Sequence, residues 1–352
     1  MSNRTAARAG IGGTMLRSRS LGSLLDANIP TREPILGTWL TQRHLSMLYA
    51  PAGVGKSMAT FSIALAVAGG GKFLEWATPK PRKVLLVDGE MDVADLKERA
   101  ALLLQALPQV DLEAARVNLE VFAQQDQHPE AQFPDLATPE GRAEIVKRAK
   151  AHKAELVILD NFSTLVTVED ENAASSFNPV VELMQRLKSN GCAVILVHHA
   201  RKGGGNGKVS EGNYRGTSKM AVIFNSIIAL SHPGGIASRT GTAFAWHFEK
   251  FRGMRDGTVG DFQATLTAGP VGDAAWTHEA STENLVVELV ALVRSVRCQN
   301  REELAAALGV STGTISALKL KAIGQGLISA ADWDQCLRMA REGAPEETSE
   351  DF

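Results

Sequence analysis

The chain is 352 residues long, 44% of them hydrophobic, and carries a formal net charge of −2 at pH 7. That exceeds an ordinary domain and supplies ample apolar material, so one large domain with a smaller one beside it is expected. Near-neutral charge excludes a bulk polycation, so any nucleic-acid contact must be local.

Cys192, Cys298 and Cys336 are far apart and odd in number. That excludes a disulfide framework or a cysteine zinc site and fits a reducing cytosol. No apolar run reaches the roughly 18 residues of a membrane span, and the N-terminus lacks the apolar core of a secretory signal. A cytoplasmic protein with no membrane partner is the expectation.

Residues 1–20 carry Arg4, Arg8, Arg17 and Arg19 with Gly, Ser and no acid. This composition reads as a disordered basic arm, either a solvated tail or a nucleic-acid contact. Leu21 to Asp26 reads as a short helix. The apolar run Leu45 to Tyr49 then leads into Ala50-Pro51-Ala52-Gly53-Val54-Gly55-Lys56-Ser57, and a helical segment opens at Met58. Strand, Gly-bearing loop, Lys-Ser and helix make a phosphate-binding P-loop. Its backbone N–H groups and the helix N-terminus stabilise phosphate charge. Lys56 would reach the β- and γ-phosphates, and Ser57 would offer a hydroxyl to Mg²⁺. Ala50 stands where the motif has its first Gly; the turn survives there if φ stays negative.

Strands and helices then alternate. Val84-Leu85-Leu86-Val87 is a buried-strand run ending in Asp88-Gly89-Glu90. Hydrolysis needs a group that orients and partly deprotonates water. Glu90 has the reach, on a second strand read as adjacent to the P-loop strand; Asp88 competes, Asp92 less so, and helix capping is the alternative for all three. Val93 to Leu107 reads as helix and Val117 to Phe122 as strand. Gln124 to Ala137 is a loop. Thr138-Pro139-Glu140 starts a helix, with a Thr cap and Pro at the first position.

Leu156-Val157-Ile158-Leu159-Asp160 places a carboxylate at the C-terminal edge of a strand, where it can hold Mg²⁺ opposite Ser57. Asn178 to Ser189 is helix. Ala193 to Val197 is a strand ending in His198-His199-Ala200-Arg201-Lys202. A polar side chain here can sense a γ-phosphate. Adjacent strand residues point to opposite faces and no third ligand is evident, so zinc is not expected. Continuous apolar strands separated by helices predict an α/β fold with a mostly parallel sheet covered on both faces.

Gly203 to Lys208, running on to Tyr214-Arg215-Gly216, is Gly-rich with Arg201, Lys202, Lys208 and Arg215. It is either a surface loop or one that follows a phosphate backbone. Ala243 to Phe251 and Phe262 to Leu266 alternate like antiparallel strands, with Gly269 to Ala275 as a linker. By the two-residue period Phe244, Trp246, Phe248, Lys250 and Arg252 share a face. The Lys250–Arg252 pair can project into a neighbouring subunit's nucleotide as an arginine finger does, or be a solvated strand end.

Glu283 to Val296 is a helix. Asn300 caps Arg301 to Leu308, Gly309-Val310-Ser311 turns, and Thr312 to Ala322 is a second helix. That is a helix-turn-helix pattern, and Gly324-Gln325-Gly326-Leu327-Ile328 reads as the start of a wing. Ser311, Thr312, Thr314, Ser316 and Lys319 would face a duplex groove. The expected organisation is an arm at 1–20, an ATPase domain at 21–270, a winged-helix-like domain at 282–330 and an acidic tail at 331–352.

Together these residues resemble the RecA-fold ATPases, and most closely the plasmid RepA-type hexameric helicases, over about residues 21–268. The likeness rests on the P-loop, Glu90, Leu156 to Asn161, His198-His199, Arg215-Gly216 and Lys250-x-Arg252. It implies a hexameric ring of identical subunits with ATP and Mg²⁺ at each interface. Glu90 would be the catalytic base and His199 the γ-phosphate sensor. Arg215, or Lys250 with Arg252, would act in trans, and the 201–214 loops would line a channel for single-stranded DNA. The appended C-terminal unit departs from that pattern and suggests duplex DNA as a further partner. A DNA-binding ATPase switch that does not unwind, and a protein-remodelling ATPase, are the rival expectations.

Overall fold

The apolar runs become β3 (Leu45–Ala50), β6 (Val84–Asp88), β8 (Leu156–Asp160) and β9 (Ala193–His199), buried at nearly every position. A computed structural model of the chain describes residues 18–167, 174–200, 222–233, 242–256, 258–268, 273–280 and 282–342. It divides into two units, residues 1–32 and 33–352. In the first, the short helix α1 (Leu21–Leu25) is capped by Ser20, whose side chain accepts from Ser23 N. Among the described residues no helix is long and apolar enough to cross a membrane.

Among the described residues nine strands form one sheet in the order β13-β12-β11-β10-β3-β9-β8-β6-β7. Here β7 is Leu119–Ala123, β10 Ser226–Ser231, β11 Thr242–Phe251, β12 Phe262–Ala268 and β13 Ala274–Ala280. From β10 to β7 the pairings are parallel, and β11, β12 and β13 extend the sheet antiparallel. This is the α/β architecture expected, a mostly parallel sheet covered by helices. Small hairpins β1 (Pro34–Leu36) with β2 (Leu40–Thr41), and β4 (Gly71–Phe73) with β5 (Trp76–Thr78), lie outside the large sheet.

Several expectations are corrected by this topology. The second strand, β6, is not next to the P-loop strand β3; β8 and β9 lie between them. Glu90 reaches the site from two strands further away. The segment read as a linker at 269–275 includes the start of β13, so the sheet extends to Ala280. Helix α4 (Leu112–Asn118) precedes β7, which starts two residues later than the strand read at Val117.

Helix α2 (Lys56–Gly69) is buried from Ala59 through Gly69. A helix apolar all round must be enclosed. The cause is its surroundings: α3 (Val93–Ala106) packs against both α2 and β13. Trp276 of β13 donates from Nε1 to Ser62 Oγ of α2 at 3.1 Å.

The aromatics concentrate on the same side. Trp76 is 1% exposed, with ring centroids 5.1 Å from Trp246, 5.3 Å from Phe262 and 5.5 Å from Trp39. Its Nε1 donates to Thr258 O at 2.9 Å. Trp76→Ala is expected to cost about 3–5 kcal/mol through the cavity it leaves, read as a lowered urea midpoint. Trp76→Phe should recover much of that, losing mainly the indole hydrogen bond.

On the other face of the parallel strands pack α5 (Pro139–His152), α6 (Phe162–Leu165) and α7 (Asn178–Ser189), sharing one apolar cluster with Leu45, Met47 and Tyr49 of β3. Thr138 caps α5 as expected, accepting from Gly141 N at 3.0 Å.

The C-terminal residues form a separate apolar cluster. It comprises α8 (Thr282–Arg294), α9 (Arg301–Leu308), α10 (Thr312–Gly324) and α11 (Ala330–Glu342). Asn300 and Ser311 cap α9 and α10, so the helix-turn-helix is present. The wing is not: Gly324 ends α10, Gly326 turns with φ +68°, and a fourth helix follows. The acidic tail read from residue 331 is also corrected. Trp333 and Ala340 are buried and Leu337 packs against the cluster, a helical period that the many acids disguised. Residues 343–352 lie outside the described residues, as do residues 1–17 of the basic arm.

Candidate functional site

The two-residue period of the strands decides which side chains meet at the P-loop. Leu48 and Ala50 of β3 face α2, while Tyr49 faces α5–α7. Asp160, Asp88 and His199 fall on the α2 face by the same alternation. His198 turns the other way, fully buried edge-on to Phe162 and Phe177 at 5.0 and 5.4 Å between centroids. The His-His pair is thus divided between a core histidine and a site histidine.

The loop itself depends on Gly53 (φ +79°) and Gly55 (φ +113°), backbone conformations that L side chains rarely adopt. Ala50 is not among the positive-φ residues and ends a strand, so Ala fits where the motif has Gly. Lys56 Nζ donates to the carbonyls of Ala50 and Pro51, each at 3.0 Å, and stands 3.2 Å from His199 Nδ1. A charged Lys56 makes this last contact a hydrogen bond when Nδ1 is the unprotonated nitrogen. Burial lowers the Lys56 pKa to about 8 against the pull of Asp160 and Glu90.

Asp160 is 4% exposed. Its Oδ2 accepts from Thr60 Oγ1 at 3.1 Å, and the Ser57 hydroxyl also bonds to it. Burial, then the nearby Asp88, raises its pKa to about 7. Asp88 and Asp160 are register partners on adjacent strands, which explains the repulsion. Asp88 spends Oδ1 on the backbone N–H groups of Glu90 and Met91, at 2.9 and 2.7 Å. Asp92 caps α3 through Ala94 N at 2.7 Å. Helix capping thus claims Asp92 and the turn after β6 claims Asp88 Oδ1, while Glu90 lines the cleft and accepts from Asn161 Nδ2 at 2.6 Å.

The cleft has a volume of about 460 Å³ and gathers Ala52, Gly53, Gly55, Lys56, Ser57 and Met58 with Glu90, Asp160 and His199. A buried ammonium, left-handed glycines and a helix N-terminus fit a polyphosphate. A hydroxyl and a carboxylate side by side are hard oxygen donors, and they fit Mg²⁺.

Three residues of the site, Thr60, Thr242 and Arg99, escape the sequence reading, and Asn161 enters it only as the residue that follows Asp160. Thr60 holds Asp160 from one turn into α2. Asn161 holds Glu90. Thr242, the first residue of β11, and Arg99 of α3 also line the cleft. Arg99 sits one helical turn from buried Leu96 and Leu103; burial raises the pKa of Asp88, and the half-buried Arg99 cation opposes that rise. Arg99→Ala is expected to weaken nucleotide binding about 10- to 100-fold, the worth of a charge-assisted contact, in a titration with a fluorescent ATP analogue. Unchanged affinity would mean its guanidinium does not reach the phosphates.

Arg201, Lys202, Lys208 and Arg215 are outside the described residues. Lys250 does not share the face of Phe244, Trp246 and Phe248. The register between β10 and β11 slips after Ile228↔Phe248, where Glu249 is an extra residue and Lys250 pairs with Ile227. This bulge turns Lys250 to the opposite face, and Phe251 packs on the aromatic side instead. Glu249, next to it, accepts from the hydroxyl of buried Tyr49. Arg252 lies past the strand's end, donating to Val222 O at 2.6 Å. Of the groove-facing residues proposed on α10, Thr312 is exposed, Thr314 is engaged with Ser311, and Lys319 pairs with Asp334 at 3.2 Å. Ser316 accepts from Arg301 at 2.9 Å.

Fold and site together define a P-loop ATPase. Residues 15–205, more than half of the chain, match a family model described as an AAA domain, and the chain belongs to that family. Among solved structures it is similar to the KaiC-like protein PH0186 from the hyperthermophilic archaeon Pyrococcus horikoshii OT3. The identity is 15% over 70% of this chain and 96% of that one, with a TM-score of 0.45.

Proposed function

We propose that this ATPase is a ring-forming motor on single-stranded DNA, a RepA-like replicative helicase of a plasmid or another mobile element, working in the cytoplasm. The observation that carries the ATPase half is the convergence of Lys56, Ser57, Glu90, Asp160 and His199 on one cleft. Lys56 and the loop amides bind and orient the triphosphate. Glu90, held by Asn161, positions a water and accepts its proton. Ser57 and Asp160 would hold Mg²⁺, which when bound would supply Lewis-acid neutralisation of phosphate charge. His199, beside Lys56, reads whether the terminal phosphate is present and passes that on to the segment that follows it in sequence.

The ring half is supported by position. Strand β11 runs antiparallel to β3, and Phe251 lies level with Ser226 and hence with Ser46, the second residue of β3. Lys250 and Arg252 therefore stand at the sheet edge opposite their own P-loop. Acting on a nucleotide requires that the nucleotide belong to a neighbouring copy. Arg215 is the other proposed trans group. Arg201, Lys202 and Lys208 would contact the single strand as the 201–214 loops line a central channel.

The second reading is a DNA-binding ATPase switch that does not unwind. It is favoured by the capped helix-turn-helix of α9 and α10, with Thr312, Thr314 and Lys319 toward a duplex. Internal engagement of Thr314 and Lys319 counts against it.

With Mg²⁺ present, ATP turnover should rise at least several-fold on adding single-stranded DNA, and a strand-displacement assay should release the shorter strand. DNA-stimulated turnover without displacement would leave the switch. Turnover indifferent to DNA would remove both.

A further inference from the structure

Helices α9, α10 and α11 enclose a groove of about 600 Å³ that the nucleotide site does not involve. Its floor is apolar, built from Leu304, Ile315, Trp333 and Leu337. Leu320, 74% exposed, stands on its wall. Its rim is basic: Arg301, Lys319 and Arg341, continued by Arg338 in an adjoining hollow of about 410 Å³. The acids on this rim are Glu302 and Asp334, and Asp334 is occupied by Lys319. An apolar floor inside a cationic rim suits an acidic peptide that carries an aromatic or aliphatic anchor.

The chain supplies one. Helix α11 ends at Glu342, one residue past the rim cation Arg341. The next ten residues, Gly343 to Phe352, carry Glu346, Glu347, Glu350 and Asp351, no cation, and the aromatic Phe352. Ten extended residues reach up to roughly 35 Å. Helix α11, with 13 residues, is about 20 Å long. The segment starts at the rim and is long enough to run back along the whole groove.

We propose that residues 343–352 dock in the groove between α9, α10 and α11 of the same chain. The acids of the segment meet Arg301, Arg338 and Arg341, and its aromatic meets the apolar floor. The segment thereby covers the cationic side of the helix-turn-helix. This rests on groove geometry and charge, independently of the ATPase reading.

The test uses a chain ended after Glu342, the intact chain, and a fluorescein-labelled peptide of residues 343–352 followed by anisotropy. The truncated chain should bind the peptide saturably, and binding should weaken on going from 50 to 300 mM salt. The intact chain should bind it about 10-fold more weakly, since a tethered competitor acts at a local concentration near millimolar. Arg338→Glu, at an exposed position, and Arg301→Ala should each weaken peptide binding at least about 5-fold in the truncated chain.

Equal binding by intact and truncated chains, or binding indifferent to salt and to Arg338→Glu, would overturn the proposal. So would a truncated chain that takes up a labelled DNA duplex but no peptide, which would make the groove a phosphate-backbone site. A block in the intact chain that disappears on dilution would seat the segment in a second copy and overturn the same-chain form.

Discussion

Glu90→Gln is expected to bind ATP with affinity within about twofold of the parent and to hydrolyse it about 10²- to 10⁴-fold more slowly, the usual worth of a positioned general base. The amide keeps the size of the side chain and can still pair with Asn161, so the cleft keeps its shape. Only the capacity to accept a proton from water is lost. Asp88→Asn is the control. Its remaining carbonyl oxygen can still cap Glu90 N and Met91 N, and removing its charge relieves the repulsion on Asp160. Turnover there should fall by less than about tenfold. Single-turnover hydrolysis alongside nucleotide titration checks both variants. A reversed order of losses would move the base to Asp88 and leave Glu90 as a positioning group.

Part of this site was legible because strand periodicity is local. An apolar run ending in Asp160 or in Asp88-Gly89-Glu90 announces a sheet edge, and a two-residue period parts His198 from His199 without any knowledge of the neighbours. The P-loop residues follow one another along the chain. Thr60, four residues after Lys56, and Asn161, next to Asp160, stand beside motif residues in the chain, but Arg99 and Thr242 belong to the site only because distant elements fold over it. Thr242 arrives when β11 pairs antiparallel with β10, and Arg99 when α3 lies against α2. Nothing within a few residues of either signals that approach.

The errors have the same origin. Counting in twos places Lys250 with the aromatics, and the count fails at a bulge, which pairing with β10 creates. Strand β10 escaped notice although Ile227 to Leu230 is apolar, because it sits between Gly-rich segments rather than helices. In the C-terminal unit the acids of α11 drew attention from Trp333, Leu337 and Ala340. A helix is set by the spacing of its apolar residues, and charge on the solvent side says little against it.

The loop conformation makes the sharpest demand on a single residue. Gly55→Ala is expected to weaken ATP binding about 10- to 100-fold or more. Gly55 holds φ +113°, ψ +20° as the N-cap of α2, outside the regions open to L residues. Forcing Ala there costs on the order of 1–3 kcal/mol if the loop keeps its shape. The added Cβ would also stand 2.6 Å from Thr242 Cγ2 and 3.3 Å from Phe244 Cδ1. Thr242 belongs to a strand that is fixed by pairing, so the loop is the partner that shifts, and its amides turn away from the phosphates. The double variant Gly55→Ala, Thr242→Ser separates the two causes. Ser removes the obstructing methyl and leaves the backbone strain, so affinity should recover only in part. Full recovery would mean that the contact alone disables the loop. No recovery would mean that φ alone does. Isothermal titration with a slowly hydrolysed ATP analogue reads the difference, and the Thr242→Ser single variant, with near-parental affinity, is the reference against which it is measured.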